Sequence, residues 1–574
     1  MMLWYTSQHK NVFSTNTSNG KAILRSHYIG PHPILHYYLQ RMNLKGIVSG
    51  CLGTGCRSDA GDSLTHAEAL EVLIHNIVVS PVPLYRLSEW IEPVEAGALA
   101  LDEQKKKAVN DDRIARTLEA LASARGRSLF FRLALRMLKE FSLATERMHF
   151  DTTTVTFCGE YASSKAEPVI RHGHNKDHRP DLKQLVFGLN VTSDGAVALL
   201  HHIYSGNRTD DTVHNGNIES LRHLLGREDF IYVADSKLST KLNLRLIDKS
   251  AGKFVTVLPR TRKEDKEFRQ HLRTSKMQWY FLLKIPSRRR FHDPPDIFYT
   301  CKADAEITDD GYRLIWIRSS RKAESDKTSR DNSIEKAFTD LQALSAKLNR
   351  GKFKKKGIIR KAVSCILQSY GVKRFIQVNI TFRTEQQTCF LRKGRPRADD
   401  PVRIIRKRFY CLKIQKQREN LRDEAKTDGV FPIVTNLDKS YGKRQLLRIY
   451  KYQPYVEKRF STLKSELRVA PVFIKKPARV AGMLHAYFIA IALTSLIERT
   501  VRKNMQMKDI KKLPLLPEKR PASAPTSPRI LEPFTGLTWF EFQQMENFVT
   551  FPLRLDKLHK DLLSLLEVPL EVYR

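Results

Sequence analysis

The chain has 574 residues, 41% of them hydrophobic, which is enough for two to four domains with cores of their own. It carries 99 Lys and Arg against 61 Asp and Glu, a net charge of +38. Such an excess is unusual for a metabolic enzyme and favours a polyanionic partner, with nucleic acid before an anionic membrane. Seven scattered cysteines argue against a disulfide-rich secreted protein, and the polar Met1–Gly20 does not resemble a signal peptide. We therefore expect a soluble, cytoplasmic protein.

Residues 1–146 are predicted to be mainly helical from about Ser26 onward. His66–Val78 is amphipathic, with Ser63 and Thr65 as candidate caps, and further helical patterns continue to Leu143. Gly50–Ser58 is glycine-rich like a phosphate-binding loop, but Cys56 and Arg57 replace the required Lys and Ser, so we interpret it as a turn. A helical region ahead of a catalytic core suits DNA-end binding or dimerisation.

Residues 147–259 change to an alternating pattern that predicts the element order β-β-β-α-β-α-β. His149–Phe157 is rich in β-branched and aromatic residues and contains Asp151. Ser193-Asp194-Gly195 is a hairpin turn signal between the second and third strands. Phe230–Asp235 is a short apolar strand that ends on an aspartate. One carboxylate thus lies on the first strand and another at the tip of the fourth.

Residues 260–440 are predicted to form an inserted basic α+β domain. Within it, Leu341–Lys416 contains 21 Lys and Arg against three carboxylates. Any single basic run is usually solvated surface, but several together predict a phosphate-binding face, because each phosphate contact adds affinity through counterion release. The candidate DNA-binding residues of this face are Lys354, Lys355, Arg406 and Lys407.

Residues 441–503 are predicted to return to the catalytic core. Val456, Phe460, Leu463 and Leu467 recur at helical spacing, and Glu457 lies beside this apolar face. The apolar run 481–497 is short for a membrane span and is predicted to be a buried core helix. Residues 504–574 contain six prolines between positions 514 and 533 and are interpreted as a linker followed by a helical tail.

Asp151, Asp235 and Glu457 are the candidate catalytic carboxylates. Adjacent strands can bring the two aspartates together, and a helix packed on the sheet can add the glutamate. Carboxylate oxygens are the ligands that Mg²⁺ prefers, and two such ions suit phosphodiester displacement. The alternative is that both aspartates only accept hydrogen bonds from turn N–H groups.

The motifs around these acids resemble the DD(E) insertion-sequence transposases that carry the signature Tyr-x2-Arg-x3-Glu-x6-Lys. Tyr450, Glu457 and Lys464 fit its spacing, whereas Gln453 stands where the signature has Arg. That departure affects a phosphate contact and not the carboxylates.

Three further blocks share the resemblance. Phe150–Thr153 and Tyr232–Ser236 are similar to the strands that bear the two aspartates. Gly173–Gln184 resembles the family block Gly-x-Ser-Lys-Asp-x-Arg-x-Asp-Leu, with Asn175 in place of Ser. Val82–Ile91 resembles the N-terminal module, so that the likeness covers most of residues 72–500.

The resemblance implies an RNase H-like mixed sheet flanked by helices and interrupted by the inserted domain. It implies that Asp151, Asp235 and Glu457 bind two Mg²⁺ ions, for which Mn²⁺ can substitute. Lys464 and Tyr450 would hold phosphates of the element end. Additional contacts are expected from Lys176 and Arg179, although Arg179 equally suits pairing with Asp177 or Asp181. Trp279 suits stacking on a flipped base, but a half-buried strand aromatic is the commoner role.

The function implied is a transposase of a prokaryotic insertion sequence that acts on nucleoid DNA. It would cleave its element's ends and join them to target DNA, as a homodimer on double-stranded DNA and without a membrane. The alternatives are an RNase H-like nuclease that hydrolyses without strand transfer, and an inactive transposase-derived DNA-binding protein. Five segments are expected, namely 1–146, 147–259, 260–440, 441–503 and 504–574.

Overall fold

A computed structural model gives the fold of the chain, which divides into two compact units. The first unit comprises residues 1–256 and 448–574, and the second comprises residues 257–447. The residues described are 12–17, 20–55, 64–161, 168–286, 293–302, 306–391, 395, 402–469, 474–544 and 547–573.

The first unit begins with two strands, where the sequence predicts none, and continues with seven helices. Helix α3 begins with a capping box in which Thr65 and Glu68 exchange hydrogen bonds, as the sequence suggests for Thr65. The elements are β1 (Val12–Thr17), β2 (Gly20–Tyr28), α1 (His32–Arg41), α2 (Leu44–Leu52), α3 (His66–Val79), α4 (Leu87–Ile91), α5 (Glu103–Lys107), α6 (Asp111–Leu121) and α7 (Ala124–Phe141).

A five-stranded mixed sheet forms the centre of the first unit. Its strand order is β5-β4-β3-β6-β7. The pairs β5–β4 and β4–β3 are antiparallel, and the pairs β3–β6 and β6–β7 are parallel. The predicted order β-β-β-α-β-α-β is confirmed, as is the mixed α/β class. The elements are β3 (Arg147–Phe157), β4 (Lys183–Thr192), β5 (Ala198–Ser205), α8 (His214–Leu225), β6 (Ile231–Val233), α9 (Lys241–Lys249) and β7 (Lys253–Val257).

The second unit combines an antiparallel sheet, of order β13-β10-β9-β8, with a long two-stranded ribbon, β11–β12. The base of the ribbon packs Ile376 and Tyr410 into one core with α11 and α12. The elements are α10 (Lys263–Thr274), β8 (Tyr280–Ile285), β9 (Asp296–Thr300), β10 (Arg313–Ser319), α11 (Ser320–Ala346), α12 (Lys356–Ser369), β11 (Ile376–Phe390), β12 (Val402–Lys416), α13 (Arg418–Ala425) and β13 (Val430–Thr435).

The C-terminal part of the first unit corrects one interpretation from the sequence. Residues 504–574 are not a linker with a wholly helical tail, because β16 pairs with both β2 and β17 in a four-stranded sheet. Leu513, Ile530 and Phe534 are buried despite the prolines. The elements are α14 (Lys443–Tyr450), α15 (Pro454–Ser461), α16 (Pro477–Met507), β14 (Leu513–Leu516), β15 (Arg520–Ala522), α17 (Ser527–Leu531), β16 (Thr538–Gln544), β17 (Asn547–Phe551) and α18 (Lys557–Leu566).

Helix α16 is the buried core helix that the sequence predicts. It is long and apolar enough to cross a membrane, but nearly all of its apolar stretch is buried inside the protein. At its centre Arg459 of α15 pairs with Glu498 at 2.8 Å, and both side chains are buried. Arg459 also donates to the carbonyl oxygens of Gly195 and Ala196. This network fixes α15 against α16 and the β4–β5 turn.

Candidate active site

Asp151 and Asp235 lie side by side because their strands are parallel neighbours in register. The last paired residues of β3 and β6 are His149 and Val233, and each aspartate lies two residues further along its own chain. Adjacent strands lie about 4.8 Å apart. The Asp235 main chain is held by Thr256 of β7, whose hydroxyl donates to the Asp235 carbonyl oxygen at 2.7 Å. The pairing that the sequence predicts between these two strands is present.

The two carboxyl groups share a partly buried, negatively charged environment. Burial raises the pKa of Asp151 to about 7, while Lys176 opposes and Asp235 reinforces the rise. Burial also raises the pKa of Asp235, and the charge of Asp210 adds to the effect. Each carboxylate accepts one local main-chain bond, from Thr152 N at 2.7 Å and from Lys237 N at 3.0 Å. Their remaining lone pairs are the donors that a hard cation requires.

Tyr450 is the residue on which the charges of all three candidate carboxylates act. Burial raises the pKa of its phenol, and the negative charges of Asp235, Glu457 and Asp151 raise it further. The phenol is therefore within electrostatic range of all three acids. Glu457 lies in the first turn of α15 and is exposed. The Glu457 carboxylate therefore acts electrostatically on the same phenol as the two aspartates.

The candidate carboxylates supply the oxygen atoms that a divalent cation binds, but they do not converge on a single point. Within the described ranges, no three His, Cys, Asp or Glu side chains form a ready metal-binding group. Asp151 and Asp235 supply oxygen donors of the kind that a hard cation prefers, and Glu457 carries a third carboxylate on an exposed side chain.

Gln453, the departure from the signature Arg, has a structural role at the back of the site. It is buried, and its Nε2 donates to the carbonyl oxygen of Phe150 at 2.7 Å. His149 Nδ1 lies 3.1 Å from its Oε1 and is the donor, since an amide oxygen can only accept. Burial lowers the pKa of His149 to about 4. Gln453 therefore joins the start of α15 to the strand that bears Asp151.

The predicted phosphate-binding residues are engaged within the protein. A π-helical turn, Thr462–Glu466, follows α15 and carries Lys464. Lys464 Nζ bonds both oxygens of Asp177, at 2.7 and 2.8 Å. Arg179 forms an exposed two-bond pair with Asp181, which is one of the alternatives left open by the sequence. Lys464 thus ties the Gly173–Gln184 loop to the Glu457 helix.

Asn175 shapes that loop where the family block has Ser. It is buried, and its Oδ1 accepts from the main-chain N–H groups of Asp177 and Arg179, at 2.7 and 3.3 Å. Ser hydroxyls make the same kind of local turn, although more weakly. Asn175 therefore fixes the turn that follows it in this loop.

Asp210 is a fourth carboxylate of the site, which the sequence motifs do not single out. It follows β5 and accepts from Thr152 Oγ1 at 2.6 Å, while Lys176 Nζ lies 3.1 Å from its other oxygen. Strand β5 is antiparallel to β4 and therefore runs parallel to β3. The sequence signal that could have identified Asp210 is its position as an acidic residue just beyond the end of the third strand of this sheet.

The candidate DNA-binding residues of the second unit lie on its surface. Lys354 and Lys355 are exposed between α11 and α12, and Arg406 and Lys407 are exposed on β12. Trp279 is half-buried before β8, and the Arg318 guanidinium carbon lies 6.0 Å from its ring centroid. Trp279 thus matches the half-buried aromatic that is the commoner role for such a residue.

Part of the chain matches a known family model. A family model described as a domain of unknown function, DUF4277, matches residues 26–135. No curated protein matches the chain. Among solved structures, one similar chain is in the cryo-EM structure of a piggyBac transposase synaptic complex with hairpin DNA. It is 8% identical, the match covers 91% of this chain and 81% of that one, and the TM-score is 0.37.

Proposed function

We propose that the chain is a metal-dependent DNA transposase of the DD(E) type with an RNase H-like core. The observation that carries the proposal is the position of Asp151 and Asp235 at the same level of neighbouring parallel strands. The charges of both aspartates and of Glu457 act on the Tyr450 phenol, which supports the same assignment. The signature spacing of Tyr450, Glu457 and Lys464 supports the same conclusion. The cellular setting that accompanies it is prokaryotic cytoplasm, where the enzyme would act on nucleoid DNA.

Asp151, Asp235 and Glu457 would hold the metal ions in this proposal. Bound Mg²⁺ or Mn²⁺ supplies activation of an attacking water or 3′-hydroxyl and charge stabilisation at the leaving oxygen. The protein's contribution is orientation, since Gln453 fixes the α15 start against the Asp151 strand. Burial of the Arg459–Glu498 pair keeps the helix that bears Glu457 in one position.

The ribbon β11–β12 is the proposed DNA-contacting element of the second unit. Its 15 residue pairs span about 50 Å at about 3.3 Å per residue. Among the described residues, its base packs on a core, whereas Arg403, Arg406 and Arg408 are exposed on the outer half. Two-stranded ribbons fit the major groove of DNA, and arginine binds both phosphates and base edges. Lys354 and Lys355 would add phosphate contacts, and a homodimer would bring two element ends together.

The proposal is tested with the full-length protein, Mg²⁺ or Mn²⁺ and a labelled duplex that carries the element's end next to unlabelled target DNA. A transposase releases the end and joins it to the target. Cleavage without joining would replace the proposal by an RNase H-like nuclease. Tight, salt-sensitive DNA binding without cleavage or joining would indicate a DNA-binding protein derived from a transposase.

A further inference from the structure

The Lys176 ammonium occupies a bonded position among the carboxylates of the candidate site. It donates to the carbonyl and hydroxyl oxygens of Thr152, at 2.8 and 2.9 Å. It lies 3.1 Å from an oxygen of Asp210 and 3.9 Å from Asp151 Oδ1. The ammonium is thus the positive charge that stands between two of the site's acids.

The protein holds this ammonium through contacts on several elements. Thr152 of β3 accepts from Lys176 and donates its own hydroxyl proton to Asp210 at 2.6 Å. Lys176 N donates to Thr154 Oγ1 at 3.2 Å, so that the main chain of the loop is fastened to the same strand. The buried Asn175 fixes the turn that follows. Lys176 is therefore a positioned side chain and not a solvated surface lysine.

A divalent ion on Asp151 would lie close to this ammonium. Mg²⁺ binds carboxylate oxygens at about 2.1 Å. Because Lys176 Nζ is 3.9 Å from Asp151 Oδ1, an ion bound to that oxygen would lie at most about 6 Å from the ammonium. Charges of the same sign at that distance repel, and the site is partly shielded from water. The two cations therefore compete for Asp151.

We propose that Lys176 is an internal counter-cation that opposes divalent metal binding and leaves Asp151 when the metal binds. This inference rests on the proposed function, because it concerns the same carboxylates. Asp210 and Thr152 are positioning residues that retain the ammonium next to Asp151. The released ammonium becomes available to a DNA phosphate, so that metal loading and DNA contact are linked through one side chain.

The test measures Mn²⁺ affinity of the full-length protein without DNA, by electron paramagnetic resonance of the free ion. The variants are Lys176→Met, Lys176→Arg and, as a matched control at the start of β4, Lys183→Met. Lys183 donates to the carbonyl oxygens of Glu160 and Tyr161 and to none of the site's acids. Removing a unit charge near a divalent ion is expected to tighten binding about tenfold even with screening close to that of water. Lys176→Arg and Lys183→Met should bind like the wild type.

Two results would overturn the inference: equal or weaker Mn²⁺ binding by Lys176→Met, or tightening by Lys176→Arg as large as that by Lys176→Met. Lys176→Gln retains a donor to Thr152 and replaces the Met variant if circular dichroism shows that the latter is unfolded.

Asp235→Asn separates the two proposals. If it weakens Mn²⁺ binding while Lys176→Met has no effect, only the counter-cation is wrong. If it has no effect, the metal site of the proposed function is wrong as well.

Discussion

Glu457 is the residue that best separates chemistry from DNA binding. Its charge acts on the Tyr450 phenol together with the charges of the two aspartates, yet its side chain is exposed. Glu457→Gln keeps the size and removes the charge of the proposed metal ligand. We expect cleavage to be lost while DNA affinity in filter-binding titrations stays within about twofold of the wild type, since no phosphate contact is removed. Loss of affinity together with cleavage would contradict the assignment; Glu518→Gln, on a strongly exposed side chain, is the control.

Gln453 gives a second prediction at the same scale, one of stability. Gln453→Met preserves the volume but removes the bonds to the Phe150 carbonyl oxygen and His149. Two buried polar groups then lose a partner, which is expected to lower the free energy of unfolding by roughly 1–3 kcal/mol. Chemical denaturation measures the change, with Gln506→Met on the exposed side of α16 as control. An unchanged transition midpoint would show that Gln453 does not stabilise the start of α15.

Individual site residues were predictable to different degrees. Asp151 and Asp235 follow from local strand patterns, because strand polarity alone brings such residues to corresponding positions. The Lys464–Asp177 pair and the position of Lys176 are not predictable from those patterns. They depend on how the Gly173–Gln184 loop folds back over β3, which is set by long-range contacts such as that between Lys176 N and Thr154.

Among the elements, the ribbon β11–β12 offers the clearest test of DNA contact. Its outer half has exposed arginines, and the Arg408 guanidinium carbon lies 5.0 Å from the Phe382 ring centroid, so charge lies beside apolar surface there. The sequence predicts the charge of this segment but not its shape, since alternation along a strand is hard to recognise when both faces are exposed.

The combined substitution Arg403→Gln, Arg406→Gln and Arg408→Gln should weaken DNA binding without unfolding the protein. The slope of log affinity against log salt is expected to become shallower by about 0.9 for each phosphate that the variant no longer binds. Fluorescence anisotropy at several salt concentrations measures this slope. A control of equal charge replaces Arg227, Arg520 and Arg529, which pair with neighbouring carboxylates in the first unit. Equal slopes for both triple variants would exclude the ribbon as a specific DNA contact.

At the scale of the whole molecule, the sequence predicted the catalytic-core elements well and the two ends poorly. The core order follows from clear apolar strands and helices separated by turn residues. The sheet formed by β1, β2, β16 and β17 joins segments more than 500 residues apart in sequence, as in the pairing of Phe540 with Ser26. Prolines in 514–533 suggested loose packing, but Leu513 and Phe534 find buried positions that only the tertiary fold provides.

The central claim is that the aligned aspartates carry phosphodiester chemistry, and Asp235→Asn tests it most directly. The measurement is strand cleavage and joining on a labelled element end with Mg²⁺, beside Asp229→Asn as control. Asp229 lies just before β6, the strand that Asp235 follows, but its side chain is exposed and pairs with Arg227. We predict joined product from the wild type and Asp229→Asn and none from Asp235→Asn, with DNA binding retained by all three. Joining by Asp235→Asn at the wild-type rate would contradict the account.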